Sequence, residues 1–262
     1  MTVATLVDTH CHLDFPDFDA DREQVLAACR AAGVTRIVVP GVRATDWSRV
    51  LDLCAWHEGL YPALGLHPMF MADHEQNHVR QLDDMLREQN VIAVGEIGLD
   101  FYHGDDDREA QLALFEAQLA LAAKHHLPVI LHVRKAHDEV LSLLRRFKPP
   151  GGIAHAFSGS RQQAEQYLAL GFKLGFGGML TYERSRKLRE LARQLPRAAI
   201  VLETDAPDMT VASHRGERNS PAYLGEVLAA LAAVRNEPEE NVARWTNANA
   251  ASVFAFDTRK TP

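Results

Sequence analysis

Two histidines separated by a single residue, His10 and His12, stand at the end of a short apolar segment near the start of the chain. In an extended segment, residues i and i+2 point to the same side, so both imidazoles can reach one point while Cys11 faces away. Two convergent imidazoles are a natural pair of metal ligands, and we interpret Cys11 as a small buried side chain. Taken alone, the pattern is equally compatible with two ordinary hydrogen-bonded histidines.

Further residues of metal-ligand type stand where other apolar runs end. These residues are Glu96, His132, His155 and Asp205. In a barrel of parallel strands, the carboxyl ends of the strands meet at the face where active sites are built. Four imidazoles and two carboxylates can hold two divalent ions, such as Mg²⁺, Mn²⁺ or Zn²⁺, and we expect Glu96 to bridge them. The other ligands then divide into His10, His12 and Asp205 for one ion and His132 and His155 for the second.

Catalytic roles are predicted for four residues of this neighbourhood, Glu96 among them. Asp205 could accept a proton from a water molecule while it binds a metal. Glu203 shares the strand face of Asp205, and it either orients a ligand histidine or only balances charge. His67 lies in the turn Gly65-Leu66-His67-Pro68 and could donate to a phosphate oxygen or to a leaving group. A structural loop histidine is the alternative for His67.

Two arginines near these positions are candidate phosphate ligands. Arg134 follows His132 on the same loop, and Arg218 lies in the loop after Asp205. Guanidinium groups there could clamp phosphates beside the metals, although the solvation of a loop explains either residue equally well.

The elements that must position these residues are eight short apolar runs that alternate with segments of helical periodicity. The candidate strands are Thr5–Thr9, Arg36–Pro40, Tyr61–Leu66, Ile92–Gly95, Val129–His132, Gly152–His155, Phe172–Phe176 and Ala199–Thr204. The candidate helices are Asp21–Ala32, Ala44–His57, Val79–Gln89, Arg108–His126, Ala136–Arg146, Arg161–Leu170, Glu183–Gln194, Ala222–Arg235 and Glu239–Phe254. This α/β alternation predicts a TIM (β/α)8 barrel.

An open doubly wound sheet would usually carry a Gly-rich phosphate turn after its first strand, and this chain has Asp8-Thr9-His10-Cys11-His12 there instead. No linker or low-complexity tract divides the sequence. We therefore expect residues 1–262 to form one domain, which is an ordinary size for a barrel.

The composition is typical of a globular protein with a sizeable core, because 47% of residues are hydrophobic and 24% are charged. The formal net charge of −7 argues against an extended basic surface that neutralises DNA phosphates. A nucleic acid would therefore have to be bound at one local site. Two bound divalent cations would bring four positive charges to one cleft. Net charge therefore weakens the hypothesis of a nuclease without excluding it.

The three cysteines form no C-x-x-C pattern and no even-numbered framework, which favours a reducing cytoplasm. The amino terminus lacks a secretory pattern, and no apolar stretch is long enough for a membrane span. We expect a cytoplasmic protein with no membrane contact and no obligate protein partner.

The sequence resembles the TatD family of metal-dependent deoxyribonucleases in a series of ordered motifs. They are Val7-Asp8-Thr9-His10-Cys11-His12-Leu13, Gly65-Leu66-His67-Pro68, Gly95-Glu96-Ile97-Gly98-Leu99-Asp100, Leu131-His132, His155-Ala156-Phe157-Ser158-Gly159, Glu203-Thr204-Asp205-Ala206-Pro207 and Arg218-Asn219-Ser220-Pro221. The resemblance implies an amidohydrolase-type barrel, divalent-metal dependence and 3′-to-5′ exonuclease or DNase activity. It agrees with the ligand set above, and we assign Ser158 to substrate binding with Arg134 and Arg218. Ser220 departs from the family, whose members often carry Glu there.

These observations predict a cytoplasmic, metal-dependent phosphodiesterase that acts on DNA ends, with a single strand as the expected substrate. One alternative is a bimetal hydrolase of another ester, lactone, cyclic amide or aminoacyl-tRNA, because one fold serves many substrates. A second alternative is a metal-stabilised binding module without turnover, which would need closed coordination with no position for water.

Overall fold

A computed structural model describes residues 5–102, 104 and 107–256. At its centre, eight parallel strands pair in chain order around a nearly closed barrel, so the predicted TIM barrel is confirmed. The strands are β1 (Leu6–Asp8), β2 (Val34–Pro40), β3 (Leu60–Leu64), β4 (Ala93–Asp100), β5 (Val129–Arg134), β6 (Gly152–Ala154), β7 (Phe172–Phe176) and β8 (Ile200–Leu202). The first and last strands meet where the Thr9 amide donates to the Leu202 carbonyl at 3.0 Å.

Helices follow the strands along the described chain, one after each of the first seven strands and two after the eighth. They are α1 (Arg22–Ala31), α2 (Trp47–Trp56), α3 (His78–Glu88), α4 (Arg108–His125), α5 (His137–Phe147), α6 (Arg161–Ala169), α7 (Arg186–Gln194), α8 (Leu224–Arg235) and α9 (Glu239–Val253). Helix bounds agree with the expectations within a few residues, since the apolar spacing identifies the buried face of each helix. No helix of the described residues is long and apolar enough to cross a membrane.

Successive side chains of a strand point to opposite faces of the sheet, and the apolar strand residues accordingly alternate between two clusters. Val38, Ile130 and Val201 belong to a smaller cluster that we place inside the barrel, together with Phe254 from the end of the chain. Their strand neighbours, such as Val39 and Leu131, belong instead to the large cluster that includes the helices. Burial on both faces explains why the strands read as continuous apolar runs.

Helix α9 holds the seam between β1 and β8 at the amino end of the barrel. The Asn249 side chain donates to the carbonyls of Arg197 and Ile200, each at 2.7 Å. The Asn247 side chain donates to the Thr5 carbonyl at 2.5 Å and accepts from the amide of Val7 at 3.2 Å. The two asparagines therefore connect both edges of the seam to one helix.

Strand β4 is longer than the sequence indicated. The prediction ended it at Gly95, because Glu96 interrupts the apolar run, yet the strand continues to Asp100 and all eight of its residues are buried. Glu96 thus lies within its strand rather than beyond it, and β5 continues two residues past His132, its predicted end. A polar residue ends an apolar run without ending the strand when its side chain has buried partners.

Glycine at position 98 allows β4 and β5 to approach closely beside the polar residues. Gly98 pairs in register with His132, and its φ of +153° is unfavourable for residues with a side chain. A Cβ at this position would lie 1.9 Å from the His132 carbonyl oxygen. The backbone position of His132 therefore depends on the absence of a side chain at residue 98.

We expect Gly98→Ala to lower the free energy of unfolding by about 1–3 kcal/mol, because the added methyl group must displace the β5 backbone. The matched control is Gly225→Ala in α8, where a Cβ meets no atom within 4 Å and φ is ordinary. That change is expected to leave stability equal or raise it by up to about 1 kcal/mol, since alanine favours helix. Urea unfolding of both variants measures the difference, and equal stabilities would contradict the argument.

Candidate metal centre

The six residues expected to bind metal come together at the carboxyl end of the barrel. His10 and His12 follow β1, Glu96 lies in β4, His132 lies in β5, His155 follows β6 and Asp205 follows β8. The structure thus gathers the whole set, from five parts of the chain, around the carboxylate of Glu96.

The two oxygens of Glu96 face two different pairs of histidines. Its Oε2 lies 3.2 Å from His10 Nε2 and 3.3 Å from His12 Nε2. Its Oε1 lies 3.1 Å from His132 Nδ1 and 2.8 Å from His155 Nε2. The Glu96 side chain is only 2% exposed. One buried carboxylate is therefore shared between two donor groups.

Asp205 adds a carboxylate to the first of these groups. Its Oδ1 lies 3.5 Å from His10 Nε2 and 3.8 Å from His12 Nε2. The residue has a φ of +57°, and its amide donates to the His10 carbonyl at 2.8 Å. Since the same contact joins the loops after β1 and β8, Asp205 is positioned by the closure of the barrel.

The donor set fits divalent cations. Three overlapping triads are present, and within each triad the ligand atoms all lie within 4.8 Å of one another. The first triad is His10, His12 and Glu96, the second is His10, His155 and Asp205, and the third is His67, Glu96 and His132. Imidazole and carboxylate ligands of this kind suit zinc and manganese, and the carboxylates also suit magnesium.

Charge also favours cation binding at this point. Burial acts to raise the pKa of Glu96, but the imidazoles of His67, His155 and His10 outweigh it and hold that pKa well below its usual range. The carboxylate is therefore ionised at neutral pH. A buried carboxylate that is balanced mainly by imidazoles, with a second carboxylate close by, is a site that a metal ion would stabilise.

His67 belongs to the same cluster, although the sequence placed it only in a nearby turn. Its Nε2 lies 3.1 Å from Glu96 Oε1, and its Nδ1 accepts from the Met69 amide at 3.1 Å. Burial lowers the pKa of His67 to about 4, so the ring is neutral. With Nδ1 accepting, the ring proton is on Nε2 and points at Glu96. His67 thus donates to Glu96 in this arrangement.

Asp100 is a member of the site that the sequence analysis missed. Its Oδ2 lies 3.0 Å from His132 Nε2, while its Oδ1 accepts from the Tyr102 amide at 2.9 Å. The contact directs the opposite ring nitrogen of His132 toward Glu96. Glu96 and Asp100 are four residues apart in one strand and so share a face, but a strand expected to end at Gly95 concealed this relation.

Asp8 was also missed, and it organises the loops that carry two of the ligand residues. This fully buried carboxylate accepts from the His10 amide at 3.1 Å, from the Thr204 amide at 3.0 Å and from the Thr204 hydroxyl at 2.5 Å. Burial raises its pKa to about 7. Asp8 is a carboxylate at the end of the apolar strand β1, two residues before His10, and this position is the signal that could have revealed it.

Glu203 lies behind His155 rather than at the opening of the site. It is fully buried, its Oε1 accepts from the Ala156 amide at 2.5 Å, and the same oxygen is 3.9 Å from His155 Nδ1. Burial raises the pKa of Glu203 to about 8. A Cβ on Gly175 would lie 2.0 Å from Glu203 Oε2, so glycine makes room for this carboxylate. This placement suits an orienting role rather than contact with a substrate.

The three expected substrate-binding residues have different locations. Arg134 is exposed, and its guanidinium carbon lies 3.6 Å from the centroid of the Tyr102 ring. Ser158 is exposed three residues after His155. Arg218, by contrast, donates to both carboxylate oxygens of Asp21, at 2.9 and 2.6 Å. Both terminal nitrogens of the Arg218 guanidinium are thus already paired with the carboxylate that precedes α1. The structure therefore does not support the expectation that Arg218 binds substrate.

Comparison with known proteins gives consistent findings along the chain. The family model described as "TatD related DNase" matches residues 7–255. The sequence is 43% identical over 255 residues to the uncharacterized metal-dependent hydrolase YjjV of Escherichia coli (strain K12), a match that covers 96% of this chain and 98% of YjjV. The crystal structure of YjjV, described as a TatD homolog, has a TM-score of 0.93 at 42% identity and covers 97% of this chain and 99% of its own.

A further relative has a named activity. The sequence is 34% identical over 259 residues to the 3′-5′ ssDNA/RNA exonuclease TatD of Klebsiella pneumoniae (strain 342), with coverage of 96% of this chain and 98% of that protein.

We expect Asp100→Asn to weaken the binding of Zn²⁺ or Mn²⁺ by roughly 10–100-fold, because His132 would lose the carboxylate that orients its ring. Asp83→Asn is the matched control, since Asp83 makes a similar contact to His125 Nε2, at 2.6 Å, on the helices outside the barrel. Competition with a chromophoric chelator measures both affinities. Equal affinities in the two variants would show that Asp100 does not position His132 for a metal.

Proposed function

We propose a function from one premise: the chain belongs to the TatD-related DNase family. It is accordingly a metal-dependent hydrolase. We propose that it hydrolyses phosphodiester bonds of DNA, that it removes nucleotides from the 3′ end, and that a single strand is its substrate. The proposal also takes residues 1–262 as one catalytic domain.

The observation that carries this proposal is the division of donors on Glu96. Its two oxygens face separate groups, and Glu96 would therefore bridge two divalent ions, which we take to be Mg²⁺, Mn²⁺ or Zn²⁺. The first ion would be held by His10, His12 and Asp205, and the second by His132 and His155. Such a pair of ions, when bound, supplies a water of lowered pKa and stabilises the charge that develops on a phosphate.

The protein's own residues would contribute orientation and proton transfer. Asp205 carries its carboxylate at the edge of the cluster and is the residue we assign to accept a proton from the attacking water. Burial raises the pKa of Asp205 in the metal-free protein, and a bound cation would lower that pKa again because it favours the ionised carboxylate. Asp100 and Glu203 would orient His132 and His155. His67 would keep its Nε2 proton directed into the site.

The exposure of the ligand residues indicates the side from which a substrate approaches. The side chains of His132 and Asp205 are 16% and 14% exposed, whereas those of His10 and Glu96 are at most 2% exposed. The scissile phosphate would therefore reach the site between His132 and Asp205. Arg134 is the exposed last residue of β5, and Ser158 is exposed on the loop that follows β6, which supports their assignment to substrate binding.

A nucleic acid as the substrate is supported by a relative, while the composition of the chain bears on the compartment and on how phosphate is attracted. The Klebsiella protein with 34% identity is named a 3′-5′ ssDNA/RNA exonuclease. The three cysteines, Cys11, Cys29 and Cys54, are buried and form no disulfide with one another, which suits a reducing compartment such as the cytoplasm. The excess of acidic residues over the whole chain means that the metals and local cations must supply the attraction for phosphate.

The decisive experiment uses metal-stripped protein and a 5′-labelled single-stranded oligodeoxynucleotide. We expect Mg²⁺, Mn²⁺ or Zn²⁺ to restore stepwise shortening from the 3′ end. Glu96→Gln and Asp205→Asn should each lower the rate by at least about 100-fold, because they remove a charge from the site that stabilises the transition state.

Glu165→Gln is the control variant and should keep the full rate, since the ion pair that the described residues offer Glu165 is with Arg161 on the outer surface of α6. Intact DNA in the presence of bound metal would reject the nuclease proposal. Hydrolysis of another ester, a lactone, a cyclic amide or an aminoacyl-tRNA would then be the reaction to measure.

A further inference from the structure

A cavity of about 810 Å³ lies beside the metal centre, between the loops after β6 and β7 and the start of α7. It begins at Ala156, the residue that follows His155, and its wall includes Gly175, which lies against Glu203. Ser158 also lines it. A molecule bound in this cavity would therefore be next to the groups that hold the second metal.

Much of the cavity wall is apolar and adaptable. Phe157 and Phe176 form part of the wall and are almost completely buried. Met179 and Met209 also line the cavity, and Met209 is 36% exposed. Methionine side chains are flexible and polarisable, so they pack against flat groups of differing shape. This wall suits a nucleobase that is accepted without recognition of its identity.

Three cations lie on the same cavity. Arg184, Arg186 and Lys187 line it and are exposed, and none of them forms an ion pair with another described residue. Of the other cations of α6 and α7, Arg161 pairs with Glu165 and Arg193 pairs with Glu190. Arg189 donates to the Leu180 carbonyl at 2.8 Å. The positive charge beside the cavity is therefore available to an external anion.

The position of these cations works against helix stability. Arg186 and Lys187 occupy the first turn of α7, which contains no acidic residue. Positive side chains are unfavourable at a helix amino end, where the backbone already presents partial positive charge. Residues that lower local stability are characteristic of functional sites. In a chain of net charge −7, three unpaired cations here point to an anionic ligand.

We propose that this cavity is the binding site for a nucleotide that flanks the scissile bond of a single-stranded polynucleotide. Its base lies between Met179 and Met209, and its backbone phosphates contact Arg184, Arg186 and Lys187. The inference rests on the proposed nuclease function and adds to it the place where the strand is held. It explains how an acidic protein binds a polyanion: the attraction is local.

The first test replaces the three cations together, as Arg184→Gln, Arg186→Gln and Lys187→Gln in one variant. For oligodeoxythymidylate, we expect KM to rise on the order of tenfold with kcat unchanged. The slope of log KM against log salt should fall by about 0.7 for each phosphate that the variant no longer neutralises. The control is Arg193→Gln, at the other end of α7, where the cation is already paired with Glu190.

The second test concerns the base. Met209→Ala should raise KM for oligodeoxythymidylate, but should leave KM unchanged for the same strand with abasic sites at its last two nucleotides. An equal effect on both strands would show that Met209 does not contact a base.

Two further measurements separate this inference from the proposed function. Binding of a fluorescent oligodeoxythymidylate to metal-free wild-type protein does not depend on turnover, and the triple variant should weaken it. Hydrolysis of bis(p-nitrophenyl) phosphate by the metal-loaded enzyme needs no cavity, and the triple variant should leave it unchanged. Unchanged oligonucleotide binding in the triple variant would overturn the inference. Normal binding without shortening in the wild type would overturn the proposed nuclease activity and leave the binding site standing.

Discussion

The carboxylate of Glu96 is the group on which the candidate site depends. A buried negative charge is costly unless it is paired, and here the compensating groups are imidazoles from four other parts of the chain. Its two oxygens separate those imidazoles into two groups. The arrangement therefore requires that several strands end at one face and at the right depth, which a closed parallel barrel provides.

The seam where the barrel closes is also part of the site. Asp8 joins the loop that carries His10 to Thr204, and the Asp205 amide bonds to the His10 carbonyl. At the opposite end, helix α9 fastens the same seam through two asparagines. The distance between His10 and Asp205 is thus set by the contacts that complete the fold, so stability and site geometry share the same residues.

Electrostatics act at two scales in this protein. The chain as a whole is acidic, which disfavours broad contact with a polyanion. The candidate metal-binding cluster includes His155, and the cavity lined by Arg184, Arg186 and Lys187 begins at the next residue, Ala156. Attraction restricted to one place suits the proposed hydrolysis of a polyanionic strand, of which only a short stretch would be held at a time.

The sequence by itself determined the barrel and the six candidate ligands, because strand periodicity and polar residues at the ends of apolar runs are local signals. It could not show that β4 continues through Glu96 to Asp100, because that depends on buried partners from β5. Nor could it show that Arg218 is already paired with Asp21, since the two residues are far apart in the chain. The division of histidines between the two oxygens of Glu96 was expected from ligand chemistry. The distances from those histidines to Glu96, the place of His67 in the cluster and the cavity at α7 all depend on tertiary packing. These features arise between strands and loops that are distant in sequence, where no local pattern carries the information.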